Sequence, residues 1–82
     1  MLQKFYTVYD RHVGYGFPFA QPNNMAALRT FKIWLNDPNS EIGKCPEDYE
    51  LFYLGEYDTE KGTCAFAPQA IMRGGAANAP EI

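Results

Sequence analysis

Histidine occurs once in this chain and cysteine twice, which leaves most enzyme chemistries without the groups they need. Cys45 and Cys64 are too few for a disulfide framework, and their separation suits neither a redox pair nor a zinc site. His12 is the one further nitrogen donor, so no metal is expected, and an imidazole in a turn beside Arg11 needs no chemistry. Glu47 and Asp48 are adjacent ahead of a strand, where neighbouring side chains point to opposite faces, so they read as loop acids rather than a catalytic pair. Gly14-Tyr15-Gly16 lacks the helix and lysine of a phosphate loop. Neither catalysis nor a cofactor is expected. No apolar run approaches the roughly 20 residues a membrane helix needs. The first residues show no charged stretch followed by an apolar one, so no leader is read and a reducing cytoplasm is the expected location.

Positive charge is scarce as well. Lys and Arg number seven against ten Asp and Glu, a net charge of −3, whereas nucleic-acid binders usually carry a basic footprint. The charges are unevenly placed. Residues 1–44 hold five basic (Lys4, Arg11, Arg29, Lys32, Lys44) and three acidic side chains (Asp10, Asp37, Glu41), a balance of +2. Residues 45–82 hold two basic and seven acidic, a balance of −5. Any anion-facing surface therefore belongs to the N-terminal half.

Aromatic side chains are what the chain has in surplus: six Tyr, six Phe and one Trp in 82 residues. One small domain of this size buries roughly 60% of the surface its unfolded chain exposes. So many rings exceed what its core can hide, and a homodimer is the expected outlet.

Leu2 to Asp10 reads as a first strand, rich in β-branched and aromatic residues and free of Gly and Pro. Asp10-Arg11-His12 turns the chain. Val13 to Phe19 follows as an irregular edge strand, loosened by Gly14 and Gly16 and denied a ladder donor at Pro18. Pro22-Asn23-Asn24 opens a helix to about Asn36, with Asn24, Leu28, Phe31 and Leu35 on one stripe and Ala27 and Trp34 on its flank. Asn39 to Asp48 is read as a polar crossing loop. Tyr49 to Tyr57 is a third strand, and after the turn Asp58-Thr59-Glu60-Lys61-Gly62 comes a short fourth strand, Thr63 to Phe66. The expected fold is α+β: a small antiparallel sheet in β-β-α-β-β order with one helix packed on one face. Residues 1–66 form the expected domain, and residues 67–82, small and Gly/Ala-rich, a flexible tail.

The stretch Pro46 to Asp58, PEDYELFYLGEYD, preceded by Leu35-Asn36-Asp37-Pro38, resembles the small nonstructural protein of gokushovirus-type microviruses, which are single-stranded DNA phages. The opening LQKFYTVYDRHVG and the middle AQPNNMAALRTF look like the same family. The resemblance covers roughly Leu2 to Asp58 and fades beyond. Cys45 departs from it, standing where the family often carries His. The resemblance implies a nonstructural accessory protein acting in the bacterial host cytoplasm, of a family commonly described as DNA-binding.

Residues and resemblance together give the favoured expectation, single-stranded DNA held by stacking on sheet aromatics. The outer sheet face is expected to present Phe5, Tyr9, Leu51, Tyr53 and Tyr57, with Lys4, Arg11, Lys32 and Lys44 supplying charge from the edges. The rival expectation is a non-enzymatic, dimeric interaction module that grips a host or viral protein with the same face, since rings are enriched in protein interfaces too.

Overall fold

A computed structural model describes residues 1–77. Leu2–Asp10 forms β1 with the bounds its composition predicts. It pairs antiparallel along its length with β4, Tyr49–Asp58, from Leu2 opposite Asp58 to Asp10 opposite Tyr49. On the far edge of β1 lie two short strands, β2 (Gly14–Tyr15) and β3 (Phe19–Gln21). β4 pairs on its other side with β5, Thr63–Arg73. The sheet order is β2-β1-β4-β5, with β3 beside β1 as well.

The helix α1, Asn24–Leu35, begins where Asn23 turns extended and its side-chain oxygen accepts the Ala26 amide at 2.9 Å. It ends as the Asn36 amide reaches the Lys32 carbonyl, two residues before Pro38. A second, one-turn helix α2 (Glu41–Lys44) is capped by the Ser40 hydroxyl, which accepts from the Gly43 amide. A 3-10 turn over Pro46–Asp48 leads into β4, and a last turn of helix, α3 (Gly74–Ala77), follows β5.

Helix and sheet meet through Ala27, Phe31 and Leu35 on α1 and Tyr6 and Leu51 on the strands, all buried. Burying such side chains contributes roughly 1.5–3 kcal/mol each. Val8, Phe19, Trp34, Ile42, Ile71 and Met72 pack around that centre. The predicted stripe thus holds, although Asn24 takes part through its amide, accepting the Tyr6 hydroxyl at 2.7 Å.

Three expectations change. The irregular strand at Val13–Phe19 is two strands, because Gly14 sits at φ +121° and Pro18 lacks an amide; the segment between them is pinned where Gly16 donates to the Val8 carbonyl at 3.0 Å. The sheet therefore has five strands, and the order is not simply β-β-α-β-β. The crossing loop Asn39–Asp48 is largely helical turns. The fourth strand does not stop at Phe66 but runs to Arg73, so the domain boundary expected after residue 66 falls inside β5. Backbone pairing to β4 overrides the poor strand propensity of Ala65 and Ala70, and Ile71 and Met72 add core contact. The rest of the expected flexible tail, residues 78–82, lies outside the described residues.

Candidate nucleic-acid interface

Residues directly opposite each other in a ladder share a face. Tyr6 faces Tyr53 and Val8 faces Leu51, which places Tyr53 and Leu51 on the helix-covered side. Thr7 faces Phe52, Tyr9 faces both Tyr15 and Glu50, and Phe5 faces Gly55, so these line the side with no helix. The register shift between Phe5 and Tyr6 inserts Leu54 as an extra residue in β4. It carries Tyr57, opposite Gln3, to the helix-free side, away from Tyr53. Gly55 makes the bulge possible: it sits at φ +144° with the Ala65 carbonyl where a Cβ would be.

Two ring clusters result on the helix-free side. In the first, Tyr9, Tyr15 and Phe52 stand 4.8 Å, 5.4 Å and 5.9 Å apart between centroids, tilted or edge-on. In the second, Phe5 touches Tyr57 edge-on at 6.1 Å and Phe66 at 5.8 Å. Tyr15 and Phe66 are exposed, and Phe5, Tyr9, Phe52 and Tyr57 are half-buried. Thr7, between the clusters, is fully buried and donates its hydroxyl to the Gly16 carbonyl at 2.8 Å.

The basic residues are distributed differently. Arg73 lies opposite Glu50 and so completes a cross-strand row Tyr15, Tyr9, Glu50, Arg73. Arg11 stands at the same end of the sheet and lines a small concavity with Arg73, Glu47 and Gly75. Its guanidinium is 3.0 Å from Asp48, which also lies 3.5 Å from His12. Lys4 falls on the helix-covered side opposite Glu56 and lines a shallow concavity of about 440 Å³ with Tyr53, Asn24 and Gln69. Lys32 and Lys44 belong to the last turns of α1 and α2.

The fold therefore gathers Phe5, Tyr9 and Tyr57 on one face with Arg11 at its end. It sets Lys4 and Tyr53 on the other face, and Lys32 and Lys44 in the helical layer. The expected face containing Leu51 and Tyr53 is corrected: both help seal the core. Sequence reading missed Tyr15, Phe52, Phe66 and Arg73. Alternation within β4 groups Phe52 against Tyr53, but only the pairing with β1 decides which group meets the helix, and the bulge moves Tyr57 across. Arg73 lay in the stretch read as tail.

The tyrosines under the helix are held neutral. The Tyr6 hydroxyl is pushed above its ordinary 10.0, chiefly by burial and then by neighbouring Tyr53. Tyr49 is pushed up likewise, by burial first and then by the Asp10 and Glu41 carboxylates. Among the described residues, no group of three or more His, Cys, Asp or Glu is placed to hold a metal ion. No helix of the described residues is long and apolar enough to cross a membrane.

Comparison with known proteins gives the chain its kinship. A curated relative that it matches is "Protein ORF5" of Chlamydia phage 1, 33% identical over 63 residues, covering 71% of this chain and 66% of the relative, just under two thirds of its length. No solved structure matches. The family described as Phage ORF5 protein matches residues 3–77, nearly the whole sequence, and the chain belongs to that phage family.

Proposed function

We propose that this phage protein is a non-catalytic accessory protein of a single-stranded DNA phage of the microvirus type, working in the host cytoplasm, and that its helix-free sheet face holds single-stranded DNA. The observation that carries the reading is the Tyr9–Tyr15–Phe52 cluster on an open face, with Arg73 in the same cross-strand row and Arg11 at its end. Unpaired bases stack on such rings, each contributing about 1–3 kcal/mol by alanine substitution, without demanding a sequence. The Phe5–Tyr57–Phe66 cluster lies about four residues further along β1, roughly 14 Å away, and offers a second stacking position. Arg73 and Arg11 meet the phosphates, Arg11 exchanging Asp48 for the ligand. With two cations, Arg11 and Arg73, at the face among the described residues and a net charge of −3, affinity is modest.

Titration of labelled single-stranded DNA across salt concentrations tests this. Two phosphate contacts give log K against log salt a slope near −1.4, and Arg73→Ala lowers its magnitude by about 0.7. Absence of binding even at low salt ends the proposal.

One observation favours the alternative, an interaction module for a host or viral protein. Phe17 and Val13 are 94% and 85% exposed at the tip between β2 and β3 and before β2. They border a concavity of about 550 Å³ walled by Phe19, Trp34 and Ile42, an apolar surface of the kind proteins bind. Under this reading Phe17→Ala abolishes partner contact and leaves DNA titrations unchanged.

A further inference from the structure

The helix-covered side of the sheet stays open at one corner. Unbroken alternation from Tyr6 puts Asp10 on the same side as Tyr6 and Val8, with its ladder partner Tyr49 beside it. The end of α1 and the short α2 face that corner with Trp34, Glu41 and Ile42, and the concavity of about 550 Å³ lies between. Phe19, Trp34 and Ile42 back it toward the core, and Phe17 stands 94% exposed at its rim. Asp10 and Glu41 line it too, whereas no Lys, Arg or His does among the described residues. Neither carboxylate is in an ion pair among the described residues; Arg11 and His12, next along the chain from Asp10, turn to Asp48 instead.

The two carboxylates repel phosphate, and their field reaches the Tyr49 hydroxyl, whose ionisation is opposed first by burial and then by Asp10 and Glu41. A purely apolar occupant would cover both carboxylates and leave them without water or counter-charge, which is costly. A cation on an apolar stem matches both halves of the groove. A guanidinium does so best, being planar, weakly hydrated, and able both to stack on rings and to fork onto a carboxylate.

We infer that the groove takes a short segment of another protein, in which an arginine stands next to a bulky apolar side chain. The guanidinium meets Asp10 and Glu41 beside the Tyr49 ring, and the apolar neighbour lies along Phe17, Phe19 and Trp34. This occupant rests on the interaction module described above and gives its partner a chemistry. The groove and the ring clusters lie on opposite sides of the sheet, with Tyr15 bordering both, so one molecule can hold segment and DNA together.

Trp34 is the chain's single tryptophan, so its emission reports from the groove wall. The probe is a capped peptide, glycine-leucine-arginine-leucine-glycine, titrated into the full chain alongside versions with citrulline or glutamate in place of arginine. The arginine peptide should shift the emission and saturate with a dissociation constant on the order of 1 mM, as fits a small ligand with few contacts. Citrulline, the uncharged isostere, should bind about fivefold more weakly, and glutamate should give no response at about 10 mM. Asp10→Asn combined with Glu41→Gln should lower the arginine peptide to the citrulline level; the asparagine oxygen still accepts from the Tyr49 hydroxyl, so the fold is kept. Phe17→Ala, at a side chain almost wholly exposed, should weaken the arginine peptide about threefold with an unchanged circular dichroism spectrum. Arginine and citrulline peptides that bind equally overturn the inferred cation and leave an apolar interaction module standing. An emission indifferent to every peptide overturns the occupant and that module together. An emission that shifts with protein concentration alone makes a second copy the occupant, and overturns the segment as well.

Discussion

One sheet here has two faces with nearly the same inventory of rings and opposite fates. Under α1, Tyr6, Tyr53 and Phe19 stand with the helix's own Trp34 in a chain of ring contacts 5.3 to 6.3 Å apart, closed over by Phe31 and Leu35. On the reverse, Phe5 packs on Tyr57 and Tyr9 on Phe52 just as closely, yet α1 is not laid over them. Aromatic content alone does not mark a core. What separates core from contact surface is whether a second layer arrives.

The sharpest break between the faces should be thermodynamic. Phe31→Ala empties a fully buried site and should cost about 3–5 kcal/mol in urea unfolding, against about 1 kcal/mol for Phe52→Ala. Equal costs would mean that the reverse face is core as well. Gly55→Ala strikes the bulge that sorts the faces, combining positive φ with a clash against the Ala65 carbonyl, and should cost about 1–3 kcal/mol. Binding should divide the faces the other way. Phe52→Ala should weaken single-stranded DNA by about 5- to 150-fold, the range of one lost stack, while Tyr53→Ala on the covered side leaves affinity intact once the variant is folded. Asn23→Ala, which removes only the cap of α1, should cost about 1 kcal/mol and leave binding unchanged.

The smallest effect is alkaline. Tyr6 and Tyr49 have their ionisation raised by folding, so the folded state holds their protons more tightly than the unfolded chain does. Their contribution is complete below pH 10, where unfolded tyrosine ionises, and is lost as pH climbs from there through the higher folded values. Tyr6→Phe should flatten the alkaline limb of a stability-against-pH curve. An unchanged limb would assign it to other groups.

Much of this fold is legible in the residues. β1 and α1 declare themselves because local chemistry decides them: unbroken β-formers from Leu2, an asparagine cap at Asn23, Pro38 as the stop. β5 does not, since Ala67 to Ala70 read as linker and only the pairing of Phe66, Gln69 and Ala70 with β4 carries the strand through them. The surface was legible in kind rather than in membership. A surplus of rings pointed to an uncovered sheet face, and Phe5, Tyr9 and Tyr57 do lie together on it. Register is a long-range property, and so Tyr53 and Phe52 exchange places with respect to that reading. The charge asymmetry located the cations by half of the chain, whereas the fold distributes them by layer.

Leu54 gives the β4 strand one residue more than its neighbour needs. The bulge shifts the alternation after it by one residue, so a matching residue inserted into β1 between Phe5 and Tyr6 would not merely lengthen that strand. With strict alternation restored, Phe5, Gly55 and Tyr57 would turn toward the helical layer and Lys4 and Glu56 outward, rewriting the composition of both surfaces without changing a single existing side chain. Length at this point is therefore as much a part of the surface's specification as residue identity.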